Sequence, residues 1–273
     1  MQNWNSTKTQ SQNRVKKLFF LVAMPRSGNT LFASIMNQNP DLVCTANSIT
    51  LEIMKSLFLL KKTDVFQNYS DHQSLDNVLD SVYESYYKDW PQKYIIDRGP
   101  VTLTGNFNLM KKHLKKPFKV IVLVRDLMDV LASYMKWYTE NPNAFPNWEE
   151  FKLKSDDEKI SNLMSTEGAI AKQLNAIKNA YNYPEICHFI KYDDLVQNPE
   201  EEIRKVYDFL EIPFFKHRFF DLDQININGV EYNDSTLGDN MHNIRTNEIK
   251  KEYNPYIERI PTRIRKKYEH VKF

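Results

Sequence analysis

In the stretch VAMPRSGNT, residues 22–30, a cation, a hydroxyl, a glycine, an amide and a second hydroxyl follow one another between two apolar runs. Arg26, Ser27, Gly28, Asn29 and Thr30 are residue types that hold an anion: a permanent charge, neutral donors, and a residue whose missing side chain lets the backbone come close. Where such a loop opens a helix, the unpaired N–H groups of the first turn point outward and a phosphate can accept from them. A tight turn with a helix cap is the plainer alternative. The loop differs from a Walker loop, which requires G-x-x-x-x-G-K-[ST] with the lysine on the β and γ phosphates. Ala23 stands at the first glycine and Asn29 at the lysine, and the cation comes earlier, at Arg26.

The flanking elements give the loop its setting. LFFLVAM (18–24) is a short continuous apolar run, the pattern of a strand buried on both faces of a parallel sheet. TLFASIMNQNP then gives a helix with Leu31, Ile35 and Met36 on one face, stopped by Asn39 and Pro40. Two helices follow at SITLEIMKSLFLLKK and SLDNVLDSVYESYYKDW, and a strand at KYIIDRGP. KVIVLV (119–124) is a second continuous apolar strand, leading into the helix RDLMDVLASYMKWY with Asp126 able to cap it. The region 142–183 reads as mostly helical, ICHFIKY (186–192) as a strand, and NPEEEIRKVYDFLEIP as a helix begun by Pro199 and three glutamates. Alternating strands and helices predict an α/β fold: a P-loop-type parallel β-sheet flanked by helices on both faces, a three-layer α/β/α arrangement. In such a sheet the residues after each strand converge on one edge. Pro25 to Thr30, Arg98, Arg125 and Tyr192 are thereby expected at one ligand site.

Composition narrows the class. With 273 residues and 41% apolar content the chain can build one large core, expected over residues 17–273 as one domain, with residues 1–16 a disordered polar tail. No apolar run approaches the roughly 20 residues of a membrane-spanning helix, and the first seventeen residues lack the apolar centre of a secretory signal, so a cytoplasmic location is expected. Cys44 and Cys187 form no CxxC pair, and no metal-ligand spacing appears among the six histidines. The net charge of +2 argues against a nucleic-acid binder. From Asn243 to Phe273 nine Lys or Arg face four Glu, an excess open to two readings: contacts with a polyanionic small ligand, or solvation of two helices.

Together, MPRSGNTLFASIMNQNPDL, VLVRDLMDVLASY and KYDDLVQNPEEEIRKVYDFLEIP resemble the PAPS-dependent sulfotransferase family, nearer its tyrosylprotein and bacterial branches than its cytosolic steroid and phenol branch. The resemblance spans roughly residues 18 to 215 and rests on the order and spacing of the three stretches. It implies that Arg26, Ser27, Gly28, Asn29 and Thr30 grip the 5′-phosphosulfate of PAPS. Arg125 and Ser133 take the family's 3′-phosphate positions, the alternative being an Arg125–Asp129 ion pair with a solvated serine. Tyr192 matches a tyrosine near the nucleotide, unless it is core. Arg245, in MHNIRTNEIK, matches a late loop that closes over the phosphates.

Sulfuryl transfer moves SO₃ in line to a hydroxyl or amine acceptor and releases PAP. By analogy with phosphoryl transfer, it relies on positioning and on stabilising the charge that grows on the leaving oxygen. The resemblance assigns that stabilisation to Arg26 and Arg98, with no metal. The base is harder to place. Ala46 and Asn47 occupy the position of the glutamate used by the tyrosylprotein branch, and Pro100 that of the histidine used by the cytosolic branch. Asp97 and Glu52 are the remaining candidates, each with a plainer alternative: Glu52 as a solvated helix residue, Asp97 as the partner of Arg98 or of a loop amide. Two other classes stay open: an ATP- and Mg²⁺-dependent kinase of P-loop type, which the missing Walker lysine disfavours, and a nucleotide-binding module that has lost catalysis.

Overall fold

The computed structural model describes residues 16–141, 153–234, 242–244, 248–251 and 253–273. Five strands, β1 (Lys17–Ala23), β2 (Leu42–Cys44), β3 (Tyr94–Arg98), β4 (Val120–Val124) and β5 (Cys187–Lys191), form one parallel sheet in the order β2-β3-β1-β4-β5. β1 lies at the centre and pairs with β3 on one side and β4 on the other. All five residues of β4 are buried, as a continuous apolar run in a two-sided sheet requires.

The period-two alternation of side chains sorts the central strands into two cores. Phe20, Val22, Val120, Val122 and Val124 face one layer. That layer holds α2 (Thr50–Leu59), α4 (His72–Tyr86), α5 (Thr104–His113), α6 (Leu127–Glu140), α7 (Asp156–Leu163) and α8 (Ala169–Ala180), with the short α3 (Asp64–Asn68) between α2 and α4 in the chain. Phe19, Leu21, Ala23, Ile121 and Leu123 face the opposite layer of α1 (Asn29–Met36), α9 (Tyr192–Gln197) and α10 (Pro199–Leu210). Three layers result, as expected of alternating strands and helices.

The local signals act where expected. Asp126 caps α6 by accepting from the amides of Met128 (2.8 Å) and Asp129 (3.2 Å). Pro199 opens α10, whose first turn carries Glu200, Glu201 and Glu202 against the positive end of the helix. The acidic patch SDDEK begins α7 with a capping box between Ser155 and Glu158. Its Asp156 takes a two-pronged ion pair from Arg259, and Asp157 one from Arg263 at the start of α11 (Thr262–Tyr268). Much of the basic excess of the C-terminal segment is therefore used within the chain. β2, three residues long, is too short to show a period, and α5 carries only Phe107, Leu109 and Met110 as apolar residues. The tail 1–15, residues 142–152 and Arg245 lie outside the described residues. Among those described, no helix is long and apolar enough to cross a membrane.

Candidate active site

The C-terminal ends of β1, β3 and β4 and the first residue of α9 meet around a cleft of about 390 Å³. Its cationic lining consists of Arg26, Arg98, Arg125, Lys136 and Lys250, and no Asp or Glu lines it among the described residues. Five cations around one cavity, with no carboxylate among the described lining residues, suit a polyanion: each additional negative charge on a ligand would meet a fixed positive one.

Arg26 is the centre of this construction. It lies in the left-handed region at φ 67, an uncommon conformation for a residue with a side chain. Both its ends are tied. Its carbonyl accepts from Arg125 Nη1 at 2.9 Å, and its Nε donates to Ser133 Oγ at 3.0 Å. Arg125 in turn lies over the Tyr192 ring, 4.2 Å from the centroid, in cation–π contact. Asp129 faces Lys251 at 3.7 Å, and Arg125 is committed to the loop rather than to Asp129. Arg125 Nε is buried without a partner, a donor that a ligand anion can fill.

Gly28 caps α1 at φ 90 with no side-chain cap bond, so the first amides of α1 stay open. A Cβ at Gly28 would lie 2.6 Å from Tyr192 Cδ2. The glycine is required by the tyrosine ring and by its own left-handed backbone, a neighbour that the linear sequence does not reveal. Asn29 Nδ2 donates to the Met24 carbonyl at 3.0 Å and braces the loop. Thr30 lines the cleft. Ser27 is fully buried, outside the cleft lining, and its amide donates to Met24 O at 3.3 Å.

Arg98 faces the cleft, its Nη1 donating to the Ala46 carbonyl at 3.0 Å and its amide to Thr45 Oγ1 at 3.0 Å. Asp97, one residue earlier in β3, points to the opposite face by strand alternation. It is fully buried and accepts from Ser48 Oγ at 3.0 Å, from Thr50 Oγ1 and from the Tyr87 hydroxyl. Burial pushes its carboxyl up to about 6, against the opposing effect of those three donors. Glu52 is on the exposed face of α2, paired with Lys55 at 2.9 Å. Neither carboxylate candidate lines the cleft: β3 turns Asp97 inward and the helix phase turns Glu52 to solvent.

Residues the sequence reading passed over also line the cleft. Tyr134, beside Ser133, is buried, and burial pushes its hydroxyl up to about 12 although Arg26 and Arg98 oppose this. Lys136, Lys250 and His242 complete the wall. All four lie within stretches already quoted, Tyr134 and Lys136 in RDLMDVLASYMKWY and His242 and Lys250 in MHNIRTNEIK, and the fold turns them to the cleft.

Fold and cleft together define an α/β protein with a cationic cleft at the C-terminal edge of a parallel sheet. The chain belongs to the sulfotransferase family, whose model matches residues 19–216. A curated relative, "Putative protein-tyrosine sulfotransferase" of Caenorhabditis briggsae, is 25% identical over 205 residues, 73% of this chain and 67% of the relative. Among solved structures, the sulfotransferase domain from the curacin biosynthetic pathway is 17% identical and covers 95% of this chain and 93% of its own, with a TM-score of 0.49. A mouse sulfotransferase complexed with PAP is 18% identical, covers 75% and 61%, and has a TM-score of 0.45.

Proposed function

We propose that this chain transfers a sulfuryl group from PAPS to a hydroxyl or amine acceptor and releases PAP. The observation that carries the proposal is the cleft wall of five cations, with Arg125 anchored to the loop through Arg26 and its Nε left for a ligand. Its donor set matches a nucleotide with phosphates at two separate positions. Arg26, Thr30 and the open amides of α1 would hold the 5′ end, and Arg125 with Ser133 the 3′-phosphate. Arg26 and Arg98 are permanent cations and would pin the non-bridging oxygens while charge builds on the leaving phosphate. Tyr192, packed against both Gly28 and Arg125, would keep the two phosphate sites in register.

Thermal unfolding with PAP, with ATP and with ATP plus Mg²⁺ tests this. A ligand at a hundred times its dissociation constant stabilises a fold by about 2.7 kcal/mol. PAP is expected to give the largest rise, and Arg125→Ala to remove the margin over ATP. A larger rise with ATP and Mg²⁺ would favour phosphoryl transfer instead, and PAP binding without PAPS turnover would mark a binding module.

A further inference from the structure

We infer that His242, held by Asp234, is the general base that takes the proton from the acceptor hydroxyl; this rests on the sulfuryl-transfer reading above. The cleft lacks a carboxylate among the described residues, and Asp97 and Glu52 face away from it. His242 lines the cleft. Its Nδ1 is 2.6 Å from Asp234 Oδ1, and its own backbone N–H donates to Asp234 Oδ2 at 2.8 Å. A carboxylate at Nδ1 makes that nitrogen the N–H donor, which leaves the Nε2 lone pair as the ring's proton acceptor. With side chains only 14% and 13% exposed, the pair is held in place rather than sampling solvent.

The position of the ring is set from below. His242 stacks on Tyr232 with centroids 4.5 Å apart and planes at 20°. The Tyr232 hydroxyl accepts from the amides of Ala46 at 2.8 Å and Asn47 at 3.1 Å. The Ala46 carbonyl holds the Arg98 guanidinium at 3.0 Å. The chain His242, Tyr232, Ala46, Arg98 therefore ties the imidazole to the segment where the family resemblance leaves a carboxylate missing, and both His242 and Arg98, a cation assigned to the sulfuryl oxygens, line the same cleft. Among the described residues, the charged and titratable groups around it are Asp234 on its own segment, Tyr232 beneath, Arg98 across Ala46, and Arg26, Arg125, Lys136, Lys250, Tyr134, Tyr192 and Tyr253 elsewhere in the cleft wall.

In the step, Nε2 takes the acceptor's O–H proton as the acceptor oxygen forms its bond to sulfur. The bond from sulfur to the 5′-phosphate oxygen breaks, and its electron pair leaves with PAP. Asp234 balances the imidazolium until its proton passes to water. His242 is then a catalytic residue and Asp234 a positioning one.

The full chain is assayed for PAP affinity by calorimetry and for PAP release from PAPS with 4-nitrophenol, a tyrosine peptide and a monosaccharide as probe acceptors. In His242→Asn the amide can still donate to Asp234 but carries no base. It is expected to bind PAP as the unaltered protein does and to lose about 10²–10⁴ in kcat. His242→Ala is expected to be partly restored by added imidazole, which a purely structural clamp would not show. Ring nitrogen NMR of the PAP complex is expected to show the Nδ1–H tautomer of His242, shifted toward a mixture in Asp234→Asn. An unchanged rate in His242→Asn overturns the assignment, as does an Nε2–H tautomer in the unaltered protein. Where no probe is sulfated, the tautomer decides. If the unaltered chain does not bind PAP, the sulfuryl-transfer reading falls; if it binds PAP and His242→Asn turns over normally, only the base falls.

Discussion

Arg26 Nε donates to Ser133 Oγ at 3.0 Å, joining a loop after the central strand to the middle of a helix 107 positions away. This bond and the one from Arg125 to the Arg26 carbonyl oppose the strain of the left-handed backbone at φ 67, a cost on the order of 1–2 kcal/mol.

Ser133→Ala removes the hydrogen bond from Arg26 Nε and keeps the backbone anchor to Arg125. A hydrogen bond from a charged donor contributes roughly 1.5–3 kcal/mol, and 1.4 kcal/mol is about tenfold in affinity. PAP is expected to bind about tenfold or more weakly, with the fold intact, as read by calorimetry beside a circular dichroism melt. Equal affinity would show that the bond positions nothing for the ligand.

Gly28→Ala places a Cβ 2.6 Å from the Tyr192 ring on a backbone at φ 90. Strain and collision together are expected to lower stability by about 2–4 kcal/mol and to impair PAP binding. Adding Tyr192→Ala relieves the collision but not the backbone strain. Denaturant unfolding of the double variant should therefore recover part of the loss found for Gly28→Ala.

Asp97 gives a pH signature. Its folded carboxyl titrates near 6 against an ordinary 3.8, so between those values the native chain keeps a proton that the unfolded chain has lost. The native state binds more protons in that window, and stability falls as pH rises through it. Relative to Asp97→Asn, whose side chain does not ionise, the unaltered protein should lose on the order of 2 kcal/mol from about pH 4 to pH 7. Urea midpoints of the two proteins across that range check this, and parallel curves would refute it.

Tyr232→Phe removes the acceptor of the Ala46 and Asn47 amides while keeping the ring under His242. Two amides losing a partner at a half-open surface should cost about 1–2 kcal/mol, seen as a fall of a few degrees in Tm. Because Ala46 also anchors Arg98, PAPS turnover is expected to fall more than PAP affinity.

The apolar runs at 18–24 and 119–124, the cap at Asp126, the helix start at Pro199 and the loop chemistry of residues 26–30 were written in the linear chain, because a strand buried on both faces and a helix start depend on near neighbours alone. Strand order alone brings Arg125 and Tyr192 to the loop. Other assignments needed the third dimension. Asp97 and Arg98 are consecutive, and only the facing of β3 decides that one is buried under α2 while the other enters the cleft. Ser27 reads as a ligand contact and is buried beneath its own loop. Gly28 owes its requirement to a ring 164 positions later, and His242 reaches the site through Tyr232 and Ala46, contacts with no periodicity to betray them. Local preference is legible from spacing because it acts over a few residues. The direction of a side chain at a sheet edge is decided by packing between segments far apart in the chain, and only the folded structure holds that information.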